Sequence, residues 1–149
     1  MRRLLKLLGL GVFLCSACST SKPEPEHFAS VEIHDRSLED IYLATAQVFK
    51  AEGYRAVPAG PREMRFEKEG TRGQKLAHAS LMSVNDGPSV VERVKAVIVN
   101  LGPGSDRLQC ETFVVTDAGT AFYEDEHRVS KSKRQPYQDL LDRVAAKLK

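Results

Sequence analysis

The sequence predicts an α+β domain in which an antiparallel sheet of about five to six strands carries two helices on one face. Two observations lead to this fold class. Several short segments alternate apolar and polar residues between Gly, Pro or Asp turns, as strands joined by hairpins do. Two longer segments place apolar residues at helical spacing. The order β-α-β-β-β-β-β-α then favours both helices on one side of the sheet.

The first strand and first helix have the clearest signals. Residues 28–34 (FASVEIH) alternate and predict a strand. Ser37, with Asp40 three residues later, marks a helix start of capping-box type, and Gly53 marks its end, so a helix is expected over 37–52. The expected apolar face consists of Leu38, Ile41, Tyr42, Thr45, Val48 and Phe49.

A hairpin is predicted next. Residues 54–58 (YRAVP) and 62–69 (REMRFEKE) flank a Gly-Pro turn, and Met64 and Phe66 alternate with charged neighbours. The segment 70–88 admits two interpretations. We favour a loop over 70–76 and then a strand edge with an Asp-Gly turn, and the alternative is a short helix around 74–82.

The second half predicts a meander and a closing helix. Three strands are expected at 90–101, 107–117 and 120–130, because GPGS and DAG supply hairpin turns between them. Residues 136–149 predict an amphipathic helix. Its apolar face contains Tyr137, Leu140, Leu141, Val144 and Leu148.

The N-terminus has the pattern of a secretory signal peptide over residues 1–17. Arg2, Arg3 and Lys6 form a basic start, and only apolar or small residues follow from Leu7 to Ala17. An eleven-residue helix is about 16 Å long, too short for a hydrocarbon core of about 30 Å.

Cys18 follows Ser16 and Ala17, and this junction resembles the bacterial lipobox. The resemblance implies that Cys18 is diacylated and becomes the first residue of the mature protein, although Cys15 stands where the lipobox usually has Leu. The alternatives are a cleaved signal without lipid and an uncleaved anchor. Asp directly after the lipidated cysteine resembles an inner-membrane retention signal. Ser19 stands there instead, which favours anchoring in the outer membrane with the domain facing the periplasm. Polar residues 18–27 then form a flexible tether of about 30 Å to a single domain at 28–149.

Charge argues against a nucleic-acid partner, and the cysteine content leaves one thiol in the predicted domain. The whole chain has 22 basic and 20 acidic residues, but three basic residues leave with the leader, so 19 remain and the mature charge is about −1. No basic face for nucleic acid is implied. Cys110 is the one other cysteine left in the mature chain, and its strand context predicts a buried, inert thiol.

The stretch from Ser37 to Glu69 carries a family resemblance. Its helix reads S-x-x-D-I-Y-x-A-x-x-x-V-F-x-x-x-G-Y, and a strand, a turn and a strand follow. This layout resembles the helix-grip domains of BamC-type accessory lipoproteins of the outer-membrane β-barrel assembly machine. The resemblance implies an accessory or scaffold role in the envelope, and it carries over no functional residue.

Motifs for chemistry are absent from the sequence. No HExxH, nucleophile elbow or phosphate loop is present, so neither an enzyme nor a cofactor is expected. In YEDEHR (123–128), Asp125 and His127 should share one strand face and Glu124 and Glu126 the other, which favours a charged edge strand over a metal site. The basic run 131–135 has two interpretations, contact with anionic lipid or a solvated approach to the last helix.

Three functions are compatible with these features of the sequence. The favoured one is a membrane-anchored, non-enzymatic binding or scaffold domain that meets an envelope protein partner through the open face of the sheet. The alternative is a carrier of a small apolar ligand or lipid in the groove between helix 37–52 and the sheet. A hydrolase with an unrecognised site is the third.

Overall fold

A computed structural model describes residues 27–71, 73, 89–120 and 124–149, and it confirms the predicted α+β fold class. A 3-10 turn at Lys131–Lys133 precedes the last helix. The strands and helices are β1 Ala29–His34, α1 Leu38–Ala51, β2 Arg55–Gly60, β3 Glu63–Glu69, β4 Val91–Gly102, β5 Ser105–Thr116, β6 Asp125–Arg128 and α2 Gln135–Lys147.

The six described strands form one antiparallel sheet. Its order is β1-β5-β4-β3-β2, and β6 pairs with the same edge of β5 beyond the end of β1. Ala29 of β1 lies opposite Cys110, and Arg128 of β6 lies opposite Phe113. The hairpins β2–β3, β4–β5 and the return from β5 to β6 therefore confirm the predicted pairing of sequence neighbours.

Both helices pack on one face of this sheet and share its apolar core. Phe49 of α1 stacks on Phe66 of β3, with ring centroids 4.4 Å apart and planes 13° from parallel. Leu141 and Val144 of α2 are fully buried in the same cluster. From the sheet the cluster takes Ile33, Met64, Phe66, Val94, Ala96, Ile98, Leu108 and Cys110.

The N-terminus of α1 is capped as predicted, but its buried stripe differs from the prediction. The Ser37 hydroxyl accepts from the backbone N–H of Asp40 at 3.1 Å. Leu38 and Tyr42, predicted on the apolar face, are 37% and 42% exposed, whereas Ala44 is buried. The stripe is rotated because α1 packs against α2 as well as the sheet, so the side towards α2 is covered instead.

The predicted strand at 120–130 is shorter in the structure, and the segment 70–88 is mostly outside the described residues. The last strand of the meander begins at Asp125, because Thr120 still belongs to a turn in which its N–H donates to the carbonyl of Asp117. Both interpretations of 70–88 lie outside the described residues, which include only 70, 71, 73 and 89–90 near that segment. In the described ranges, no helix is long and apolar enough to cross a membrane.

Candidate interaction surface on the open sheet face

The sheet face opposite the helices, here called the open face, is built from alternate residues of the same strands that form the core. Cross-strand pairing arranges these residues in rows. One row contains Arg65, Lys95 and Glu111 on β3, β4 and β5. The next row contains Glu67, Arg93, Phe113 and Arg128, from β3 to β6.

Arg93 is the centre of a charged network on this face. Although it is charged, it is only 5% exposed. Its Nε donates to Glu67 Oε1 at 2.8 Å, and its Nη1 donates to Glu126 Oε1 at 2.6 Å and to Glu124. Burial disfavours the charge, but the hydrogen bonds to the three carboxylates outweigh it and raise the pKa of Arg93. The network ties β6 to β3 across β5 and β4.

Two of the three acidic side chains of this network have lowered pKa values. The hydrogen bond from Arg93, with one from the Gly119 N–H, lowers the pKa of Glu124. Burial alone would raise the pKa of Glu126, but hydrogen bonds from Lys95 and Arg93 lower it below its ordinary value. The Lys95 Nζ lies 2.5 Å from Glu126 Oε2 and 4.5 Å from the Phe113 ring centroid.

The predicted faces of residues 124–127 are confirmed. Glu124 and Glu126 both reach Arg93 on the open face, and His127 Nε2 lies 3.2 Å from Asp125 Oδ2. The predicted charged edge strand is therefore held by ion pairs on the open face, whereas Asp125 and His127 are exposed on its other face. Across the described ranges, no three His, Cys, Asp or Glu side chains are grouped to hold a metal ion.

A cleft of about 220 Å³ lies in the open face, beside the network. Val97 and Gln109 line it together with the row of Arg65, Lys95 and Glu111, and all five are half-buried. The remaining lining comes from His27, Phe28, Ala59, Glu63, Met64, Ala96 and Cys110. His27, the first described residue, is part of this lining, and its Nε2 lies 3.0 Å from Arg107 Nη1.

On the helix side, the space next to the core is filled, and a larger cleft lies at one end of the helices. Phe49, Phe66 and Tyr54 fill the region between α1 and the sheet, with the Phe49 and Tyr54 rings 5.4 Å apart edge to face. A cleft of about 510 Å³ opens at one end of the helices, and charged residues surround it. There the Tyr54 hydroxyl donates to Glu92, and Lys68 lies over the Tyr54 ring.

The structure describes Cys110 and does not describe Cys18. Cys110 is buried as predicted, and burial, with the nearby Glu111 charge, raises the pKa of its thiol to about 12. A thiol with so high a pKa is a poor nucleophile at neutral pH. Cys18, the predicted lipid-attachment residue, lies outside the described residues.

Sequence reasoning missed the residue that organises the open face. Arg93 lies in the strand predicted over 90–101, but the sequence alone assigns it no structural or binding role. Its signal was a charged residue at a position alternating with Val94 and Ala96, two core residues. The partners of that charge follow only from the register, which sets Glu67 opposite Arg93 and Glu126 in the adjoining row.

Comparisons with known proteins leave the family open. No protein-family model matches the sequence, and no curated protein matches it significantly. The chain is similar to a solved structure of the adenylate sensor from AMP-activated protein kinase in complex with 5-aminoimidazole-4-carboxamide 1-beta-D-ribofuranotide. The two are 16% identical over 82% of this chain and 95% of the other, with a TM-score of 0.45. A likeness at that score carries no conclusion about this chain.

Proposed function

We propose that this protein is a membrane-anchored bacterial lipoprotein whose domain binds an envelope protein through the open face of the sheet, without catalysis. The observation that carries the proposal is the contrast between the faces. Between α1 and the sheet the space is filled by the protein's own aromatic core, and the cleft of the helix side opens only at one end of the helices, whereas the open face presents a cleft in the middle of the sheet, bordered by charged rows. A surface of this kind is free to meet a partner.

The size of the cleft favours a protein partner over a small ligand. Ligand pockets are typically about 300–1,000 Å³ and enclose most of the ligand. The open-face cleft is about 220 Å³, below that range. A protein interface instead needs about 800 Å² on each partner, with a polar, hydrogen-bonding rim. Rows of charged side chains suit such a rim because they penalise partners of the wrong charge pattern.

The proposed anchor places this surface near a bilayer. Cys18 stands nine residues before His27, where the described chain begins beside the cleft. Nine extended residues span about 30 Å, so acyl chains on Cys18 would keep the cleft within that distance of the outer membrane. Two acyl chains are needed for stable attachment, since one chain alone binds a membrane only weakly.

The anchor is tested by membrane fractionation of Cys18→Ser. We expect the wild type in the membrane fraction and the variant in the soluble periplasmic fraction. An unchanged membrane fraction in the variant contradicts lipid attachment at Cys18.

The partner is tested by cross-linking in intact cells, comparing the wild type with Cys18→Ser. The expected result is one defined envelope protein that is captured by the wild type and lost in the variant. If the wild type captures nothing above background, the scaffold function fails.

A further inference from the structure

The row through the cleft contains an arrangement that folding alone does not favour. Arg65 and Lys95 lie directly opposite each other on neighbouring strands. Like charges in that position destabilise a sheet, because their Cβ atoms are only about 5 Å apart. Two adjacent cations in the lining of a cleft therefore need a compensating charge.

The protein compensates one of these cations. Lys95 turns to Glu126, with Nζ and Oε2 2.5 Å apart, and Glu111 is engaged by Arg128. No carboxylate among residues 27–71, 89–120 and 124–149 forms an ion pair with Arg65, whose field only helps to lower the pKa of Glu124. Arg65 is half-buried, so its charge is also partly removed from water.

We infer that Arg65 binds a carboxylate of the partner, carried on an extended segment in which a single acidic side chain stands between neutral residues and which lies across the cleft. This inference rests on the proposed function and names the chemistry of its partner. A guanidinium binds a carboxylate through two parallel hydrogen bonds, so Arg65 supplies direction as well as charge. Val97 and Gln109, which lie opposite each other in the adjoining row, offer an apolar contact and an amide to the residue next to that carboxylate.

The flanking acids select against other anions. Glu63 and Glu111 also line the cleft, one on β3 and one on β5. A doubly charged phosphate or an anionic lipid surface would bring more negative charge against these two carboxylates than one Glu or Asp side chain does. Like-charge contacts of this kind lower the affinity for the wrong ligand.

The chemistry is tested with the mature chain carrying Cys18→Ser and a labelled acetyl-Thr-Val-Glu-Val-Thr amide. Fluorescence anisotropy should show binding that weakens about tenfold in Arg65→Glu and is unchanged in Arg55→Glu, a matched reversal outside the cleft. The peptide with Gln in place of Glu should bind as weakly as the variant does. Equal affinity in wild type and Arg65→Glu, no binding at all, or binding of inorganic phosphate or phosphatidylglycerol vesicles in preference to the peptide would overturn the inference.

A second experiment separates this inference from the proposed function. A photo-crosslinking amino acid replaces Gln109 in the anchored protein, and adducts are compared in otherwise wild-type, Arg65→Glu and Arg55→Glu backgrounds. An adduct lost only with Arg65→Glu supports the inference. An adduct that persists with Arg65→Glu overturns the inference and leaves the binding function standing. The absence of any adduct counts against the binding function itself, and the peptide titration then still decides the chemistry of Arg65.

Discussion

The two faces of the sheet are built from the same strands but have different roles. Towards the helices, alternate residues such as Phe66, Val94 and Leu108 are almost fully buried and join one apolar cluster. On the open face most of their immediate neighbours, Arg65 and Arg93 among them, are charged. Because successive side chains of a strand point to opposite faces, one set can stabilise the fold while the other is free to bind.

Arg93 shows where this division is incomplete. It belongs to the open face by its position, yet it is as buried as the core and bonded to three carboxylates. The sheet therefore contains three classes of residue: apolar core residues, a buried charged residue that holds β6, and half-buried charged residues around the cleft. Substitutions in the three classes should lower the free energy of unfolding by different amounts.

The largest loss of stability is expected from Phe66→Ala. It removes the ring stacked on Phe49 and leaves a cavity, which should lower the free energy of unfolding by about 3–5 kcal/mol. Urea unfolding followed by circular dichroism measures the change. Val97→Ala, on the open face of the adjacent strand, is the control and should cost less than half as much. Equal costs would contradict the division between the faces.

Arg93→Met should have the next largest effect. It leaves Glu67, Glu124 and Glu126 close together without their shared cation, which should cost about 2–3 kcal/mol, since the carboxylates keep some exposure to water. The same urea unfolding is used. Arg55→Met removes an exposed Arg from the same Glu67 and should change stability by under about 0.5 kcal/mol. Similar losses in the two variants would show that Arg93 does not hold the strands together.

Acid should weaken the same network. The pKa values of Glu124 and Glu126 are lower in the folded protein, so their stabilisation is complete above the ordinary value of 4.5 and is lost as the pH falls through the folded values. Thermal melts between neutral pH and about pH 3 should show this decline. The double variant Glu124→Gln, Glu126→Gln should begin less stable and decline less steeply with acid. A parallel decline would assign the acid sensitivity to other carboxylates.

The smallest effect on stability is expected from Arg65→Glu, which should lie within about 0.5 kcal/mol of the wild type. The new carboxylate would face Lys95, so a like-charge pair becomes an opposite-charge pair. Thermal and urea unfolding measure this stability. A variant that loses peptide binding but keeps its stability separates binding from folding, whereas a strongly destabilised variant would make Arg65 a structural residue.

Local patterns in the sequence were sufficient for most of the fold. Alternation identified β1 and β3, and Ser37 and Gly53 marked the ends of α1, because these signals depend on nearby residues alone. The exposure of Leu38 and Tyr42 could not be read in the same way. It depends on the position of α2, which lies about a hundred residues away along the chain.

The candidate surface depended on longer-range information. The sequence predicted that Glu124 and Glu126 share a face, but their bonds to Arg93 follow from β6 pairing with β5 beside β4. The opposition of Arg65 and Lys95 likewise follows from the register of β3 on β4. Periodicity gives the face of a residue and leaves its cross-strand neighbour undetermined.

The most direct test of the account compares the two faces in living cells. A photo-crosslinking amino acid is placed at Gln109 on the open face or at Gln47, which is exposed on α1, in the anchored protein. The account predicts a discrete envelope-protein adduct from position 109 that Cys18→Ser abolishes, and none from position 47. An adduct from position 47 alone, or an adduct at position 109 that is indifferent to Cys18→Ser, would contradict an anchored domain that binds through its open face.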